Sequence, residues 1–473
     1  MRLSRAWMRL SPDLLPFADA ASESLPLGRL LRLSLFQVSI GMVSVLLIGT
    51  LNRVMIVELQ VPTWLVAVML SLPLVAAPLR ALIGFRSDQH KSVLGWRRVP
   101  YIWMGSIVMF GGLSMMPFAL ILLSGDSTAP PIVNQLIAGI CFLIVGAGLH
   151  TTQTVGLALA TDLSPPENQP RVVALLSVML LLSMLVTALI YGALLSNFSQ
   201  LRLIQVIQGT ALLSITLNLV ALWKQEARNP EATRPDRERP GFQQAWRDLR
   251  SQGPWIRRLA AVGIGSFAFS MQDVLLEPYG GQILGLSVAQ TTLLTALFAA
   301  GGISGFVWAA RIIGGGGDAH RVAGFGSLCG AFGLAAVMLA APFDSGAAFA
   351  VGTGFIGLGA GLFAHSTLTA CMRAAPAEQV GLALGAWGSV QATAAGSAIA
   401  VGGVLRDVVS HAAEQGLLGP ALTGAVTGYG AVYLIEIALL FAAIAVIGPL
   451  VRNTIPGFPH SDRLGLARPA HSP

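Results

Sequence analysis

Apolar runs of about 20 residues, each long enough to cross a bilayer as a helix, recur twelve times along this chain. They lie at 33–52, 61–83, 100–123, 132–160, 172–196, 203–223, 258–283, 289–313, 322–342, 347–372, 380–405 and 427–451. The fourth is long enough to project past the lipid. A polar segment, 224–257, divides the runs six and six. The pattern predicts an all-α integral membrane protein of two six-helix bundles, 33–223 and 258–451. An N-terminal segment (1–32), a basic linker (224–257) and a tail (452–473) flank them.

Composition supports lipid as the solvent. Of 473 residues, 54% are hydrophobic and 11% charged, against about 25% charged in soluble domains. Mean hydropathy is +0.71. The net charge of +7 does not point to nucleic acid, because the basic residues lie in loops between apolar runs. Twenty-six Lys and Arg fall on one side and three (Arg53, Arg202, Arg406) on the other. Both termini are therefore expected in the cytoplasm. Cys141, Cys329 and Cys371 all sit in apolar runs without metal-ligand spacing and read as buried hydrophobes. No cleavable signal sequence is expected. In the N-terminal segment Trp7, Met8, Leu10, Leu14, Leu15 and Phe17 punctuate Arg2, Arg5 and Arg9, which fits a surface helix as well as a free tail. The linker's end, Phe242 to Trp255, is expected on the membrane surface.

The halves repeat. Gly146-Ala147-Gly148-Leu149 recurs as Gly359-Ala360-Gly361-Leu362, with His150 and His365 close behind. Gly84-Phe85-Arg86-Ser87-Asp88 and Gly95-Trp96-Arg97-Arg98 have a weaker echo in Gly305, Arg311, Gly317-Asp318 and Arg321. Such repeats are what fused bundles leave behind. A Gly–Asp–Arg loop after the second span of each half is the plan of a major facilitator protein. In it Gly84 allows close helix approach, and Asp88 pairs with Arg97 or Arg98 as a cytoplasmic latch. The plain alternative is charge placed by topology.

Four residues inside spans are candidates for chemistry. Asp273 and Glu277, four apart, share a face of span seven. Pro278 and Gly280-Gly281 should kink that helix. An acid in a span costs about 2.5–3.5 kcal/mol, so both should face a cavity or an interface. Three roles compete: carrying protons, ligating the magnesium of a pigment, or pairing with Arg53 at the rim. His150 and His365 are candidate axial ligands to such a metal, with a hydrogen bond to a neighbouring helix as the simpler role. Arg53 is expected to pair with Glu58. Glu436 is an isolated intramembrane acid without an assigned partner. Gly381, Gly385, Gly388 and Gly396 in span eleven offer helix packing, or the approach of a flat ligand or partner helix. Gly314-Gly315-Gly316-Gly317 lacks the Lys-Ser/Thr that cradles phosphate. With no nucleophile, metal cluster or cofactor motif to read, no enzyme activity is expected.

Four stretches go further. They are Gly49-Thr50-Leu51-Asn52-Arg53-Val54-Met55-Ile56-Val57-Glu58-Leu59, Arg80-Ala81-Leu82-Ile83-Gly84-Phe85-Arg86-Ser87-Asp88, Gly95 to Gly105, and Met271-Gln272-Asp273-Val274-Leu275-Leu276-Glu277-Pro278-Tyr279-Gly280-Gly281. Together they resemble the PucC/LhaA family of purple phototrophic bacteria, the bacteriochlorophyll delivery branch of the major facilitator superfamily. The resemblance covers roughly 30–452. It implies a factor for assembling light-harvesting antenna in the cytoplasmic or intracytoplasmic photosynthetic membrane, with the core antenna favoured over the peripheral one. It also implies bacteriochlorophyll as the bound group, and antenna polypeptides, with the reaction-centre core complex, as partners. Asp273 and Glu277 then become candidates for pigment handling, whereas His150 and His365 follow from the residues alone. The other reading is a proton-coupled secondary transporter of a small solute using Asp273. Few polar groups besides Gln37, Gln153, Asp273 and the histidines punctuate the spans, which favours a lipid-like ligand or a protein partner.

Overall fold

A computed structural model describes residues 25–75, 83, 87, 96–124, 130–165, 168–226, 242–251, 253–376 and 380–451. The described chain is helical. Eleven helices are long and apolar enough to span a membrane, and a shorter apolar helix covers Thr63–Leu72.

In chain order, the first half comprises α1 (Leu27–Glu58), α2 (Thr63–Val75), α3 (Val99–Leu123), α4 (Pro131–Asp162), α5 (Gln169–Leu194) and α6 (Gln200–Leu222). A short helix, α7 (Phe242–Ser251), lies in the linker. The second half comprises α8 (Trp255–Gln282), α9 (Val288–Gly314), α10 (Ala319–Ala340), α11 (Gly346–Ala374), α12 (Val380–Glu414) and α13 (Ala425–Val451).

Several boundaries differ from the sequence reading. α1 starts at Leu27 rather than 33, because Arg29 has a polar partner: its Nε donates to Gln225 Oε1 at the end of α6 (3.1 Å). α1 also runs on to Glu58, so Arg53 lies inside the helix and is only 4% exposed. Its last turns are π-helical, over Val45–Leu51 and Val54–Glu58. α12 extends to Glu414, which carries Arg406 and Asp407 on a helix instead of a loop. In α7, Leu249 is buried with Trp255, Cys371 and Ala383, while Arg247, Asp248 and Arg250 are exposed. One side of this amphipathic helix therefore docks on the second half.

The internal repeat is a packing device. A Cβ built on Gly148 would lie 2.3 Å from Met109 N on α3; one on Gly361 would lie 2.2 Å from Gly302 O on α9, and one on Gly359 2.5 Å from Gly326 O on α10. Only glycine lets these backbones touch, as small residues do at interfaces within lipid. In contrast, Gly385 and Gly388 on α12 have nothing within 4 Å of an added Cβ. These two leave an open face rather than a helix contact.

Of the expected latch, Arg97 and Arg98 are among the described residues. Gly84 and Asp88 lie outside the described residues. Arg97 Nη2 and Arg98 Nε both donate to Asp162 Oδ2, each at 2.9 Å, and Arg98 Nη1 donates to Ser87 Oγ (2.5 Å). The carboxylate of Glu226 accepts from the backbone N–H groups of Arg97, Arg98 and Val99 at 2.7–3.0 Å. An acid here satisfies donors that the first turn of α3 leaves unpaired and complements the helix dipole. The latch thus ties α3 to the ends of α4 and α6 within one half. The corresponding Asp318 caps α10, accepting from Arg321 N (2.8 Å).

Candidate functional site

The site begins with a proline. In a continuous helix the carbonyl of Val274 would accept from the backbone nitrogen of residue 278, and Pro278 has no N–H. Its ring also crowds that carbonyl. α8 therefore breaks, but earlier than the Pro-Gly-Gly pattern suggests: Ser270 ends one helical stretch, Met271–Val274 form a 3₁₀ turn, and a new stretch starts at Leu276. Pro278 then sits in a first turn, where an N–H would be unpaired anyway, and Gly280 and Gly281 stay helical.

α1 repairs the break. Asn52, fully buried, donates from Nδ2 to Val274 O (3.1 Å). Arg53 donates from Nη2 to Leu286 O (3.1 Å) and from Nη1 to Glu58 Oε1 (2.5 Å). Gly49 gives Glu277 its space: a Cβ there would lie 2.6 Å from Glu277 Oε1. That carboxylate also accepts from the Thr295 hydroxyl on α9. The π-helical turns of α1 bring all three residues to the break, and such distortions often mark functional sites. The two stretches singled out in sequence, 49–59 and 271–281, are therefore one place in space.

Beside the break lies a cavity of about 210 Å³. Asp273 and Glu277 line it, with Gln272, Thr295, Gln391, Ser44, Ser266 and Ser270 among the polar neighbours and Phe269, Phe298 and Phe363 among the apolar ones. The lining is more polar than the sequence suggests. Its extra hydrogen-bonding groups are Ser, Thr and Gln, which scatter singly through apolar runs and converge only when six helices meet. Gln272 Nε2 donates to Asp273 Oδ1 (2.7 Å), while its Oε1 has no hydrogen-bond partner. Oε2 of Glu277 also has none.

The four candidate pigment residues do not gather round one group. Asp273 and Glu277 share the cavity, but neither His150 nor His365 lines it. His365 follows the lining residue Ala364 and turns into the helix interface. It is 5% exposed, its ring centroid lies 4.3 Å from that of Phe306, and its Nε2 is 3.5 Å from Thr369 Oγ1. No macrocycle reaches its Nε2 without moving α9. His150 is half-buried on α4. Among the described residues no three His, Cys, Asp or Glu side chains stand together as a metal site.

Sequence reasoning left Glu436 without a place. It lies on α13, fully buried, behind Asp273 and near enough for their charges to interact. Tyr279, Tyr429 and Tyr433 stack beside it, with ring centroids 5.2 and 5.8 Å from Tyr279. At the end of the bundle remote from Arg97 and Asp162, further contacts join the halves. Arg406 Nη1 donates to Thr63 Oγ1 (3.2 Å), and Trp64 N donates to Asp407 Oδ2 (2.7 Å). A Cβ on Gly403 would lie 2.3 Å from Ala67 Cβ. Two of the three basic residues counted on that side, Arg53 and Arg406, are thus clasps between the halves.

The sequence matches the family described as PUCC protein over residues 50–455. The chain belongs to the PUCC protein family. An "Uncharacterized protein in puhA-bchM intergenic region" of Rhodobacter capsulatus is 52% identical, covering 99% of this chain and 98% of its own. "Protein PucC" of Rhodovulum sulfidophilum is 56% identical, covering 85% and 89%. Among solved structures, a bacterial homolog of the human lysosomal transporter Spinster, inward-facing and unoccupied, superposes with a TM-score of 0.64 at 16% identity, over 90% of this chain and 96% of that one. The fold of this PUCC protein is therefore that of the major facilitator transporters. The match includes Asn52, Arg53, Asp273 and Glu277, the residues at the break in α8 and the turns of α1 that complete it.

Proposed function

We propose that this protein is an assembly factor for photosynthetic light-harvesting antenna, acting on the core antenna in preference to the peripheral one. It would hold bacteriochlorophyll, antenna polypeptides or both in the membrane, beside the reaction-centre core, and hand them on without making or breaking covalent bonds. In this reading the chain spans the cytoplasmic or intracytoplasmic membrane twelve times with both termini in the cytoplasm. The carrying observation is that the PUCC match runs from the end of α1 through α13, over residues 50–455, and that the stretches 49–59 and 271–281, which carry the resemblance, meet at one buried site.

The size of the cavity favours a pigment site elsewhere on the protein. The cavity of about 210 Å³ falls short of the roughly 300–1,000 Å³ that even a drug-sized ligand occupies. A tetrapyrrole with an isoprenoid tail is larger still, so in this conformation the cavity beside Asp273 and Glu277 does not enclose one. The open face of α12 at Gly385 and Gly388 suits a flat ring or a partner helix better. A proton-coupled transporter of a small solute is the competing reading, favoured by two carboxylates lining a cavity.

Purification in a gentle detergent, followed by an absorption spectrum and identification of bound polypeptides, separates the two. The expected result is bacteriochlorophyll bands with antenna polypeptides, retained in Asp273→Asn and His365→Leu and lost in Gly388→Phe. A colourless protein that exchanges a radiolabelled solute in liposomes would establish the competing reading instead.

A further inference from the structure

Glu436 is the most isolated acid described in the molecule. It is 0% exposed, and neither carboxylate oxygen has a hydrogen-bond partner. The interactions that bear on it come from α8: the charge of Asp273 and the backbone of Gln272. Arg53, the cation of this region, is spent on Glu58, Leu286 O and Glu277. A second carboxylate nearby and no counter-charge is the costliest arrangement an apolar interior offers. Among the described residues no three His, Cys, Asp or Glu side chains stand together here as a metal site. Gln272, 2% exposed, adds an unpartnered Oε1 on the cavity side. A proton neutralises such a carboxylate without a ligand set.

Beyond Glu436 three tyrosines pack together, the Tyr279 ring centroid lying 5.2 Å from that of Tyr429 and 5.8 Å from that of Tyr433. Tyr433 lies one turn away on α13, 0% exposed, with no partner for its hydroxyl. Tyr433 interacts electrostatically with Glu436, Tyr429, Tyr279 and Arg406. The Tyr429 hydroxyl donates to Gln282 Oε1 (2.7 Å), and Gln282 is exposed. Arg406 stands beside this exit, 4.6 Å from the Tyr429 ring and 2.7 Å from Gln282 Oε1, with Asp407 Oδ1 offsetting its charge at 2.7 Å.

We propose that Glu436 is a proton-binding site, and that Tyr433, Tyr429 and Gln282 connect it to the face of the membrane bearing Arg406, with Asp273 joining it to the cavity. Water at the exposed Gln282 end supplies the proton, the Gln282 amide orients the Tyr429 hydroxyl without carrying it, and in each transfer a tyrosine hydroxyl accepts one proton and releases another, so that the Glu436 carboxylate becomes a neutral carboxylic acid. The site does not depend on which client the protein serves. It gives an assembly factor or a transporter the same means of responding to protons from one side of the membrane.

Difference infrared spectroscopy of the full chain in lipid nanodiscs tests this, by exchange from H₂O into D₂O at neutral pH. The wild type should show the carbonyl stretch of a protonated, apolar carboxyl group. Glu436→Gln should remove it, and Glu436→Asp should retain it at a shifted frequency. Tyr433→Phe should leave its intensity but slow its exchange by about tenfold or more, as loss of a positioned proton-transfer group does. A band unchanged in Glu436→Gln, or one that appears only when sodium is withdrawn, would overturn the site. Exchange as fast in Tyr433→Phe as in the wild type would overturn the connection. Should Glu436→Gln not fold, the shift in Glu436→Asp decides.

Discussion

Replacing Gly361 by leucine is expected to abolish monodisperse protein. An added Cβ would stand 2.2 Å from Gly302 O and 3.0 Å from Gly302 Cα. The obstacle is backbone on α9, which no rotamer change relieves. Overpacking in a tight core costs about 1–3 kcal/mol even when side chains can adjust. Here whole helices must part, and the cost should exceed about 3 kcal/mol, a large part of a typical stability margin of about 5–15 kcal/mol. Gly148→Leu should fail for the same reason, against Met109 N. Gly388→Ala, at a position with nothing within 4 Å, should behave as wild type. Size-exclusion profiles and thermal melts of the three variants check the pattern, which equal behaviour of Gly361→Leu and Gly388→Ala would contradict.

Arg53→Met should loosen the join between the halves at the face remote from Asp162. The ion pair with Glu58 is a minor part of the loss, because Glu58 is 40% exposed and such pairs contribute about 0–1 kcal/mol. The larger part is inside: Leu286 O loses its donor, and the buried Glu277 loses its nearby positive charge. Removing one partner of a buried charged set costs about 3–5 kcal/mol, and the lower end applies here because Thr295 still donates to Glu277. Glu58→Gln should cost less than about 1 kcal/mol. Arg53→Lys should fall between, since it keeps the charge but not the forked donors. Melting temperatures in nanodiscs would rank the three. Spin labels at the outer ends of α1 and α8 would report a wider separation in Arg53→Met alone.

Much of this was legible in sequence for physical reasons. Helices in lipid must satisfy their own backbones, so the apolar runs give the spans directly. The repeated Gly-Ala-Gly-Leu marks close backbone contacts, where only glycine fits. Pro278 announces a break in α8, although the break falls four residues earlier, where its missing N–H leaves a carbonyl unpaired. The local pair Arg53–Glu58 was legible, but partners distant in sequence were not. Nothing local pairs Arg98 with Asp162, or Asn52 with Val274 O, since these meet only after helices far apart in sequence pack. Pseudo-symmetry suggested that His150 and His365 serve alike, yet a single residue step, about 100° round the helix, separates lining the cavity at Ala364 from facing Phe306 at His365. Glu436 was visible as an anomaly, but its neighbours Asp273 and Tyr279 come from another helix.

The most direct test of the proposed role is the membrane absorption spectrum of the native host after deletion of this coding sequence, with total bacteriochlorophyll measured in the same cells. Loss of the core antenna band, with pigment synthesis retained and the band restored by the wild-type gene, is the predicted result. Unchanged antenna bands in the deletion strain would contradict it.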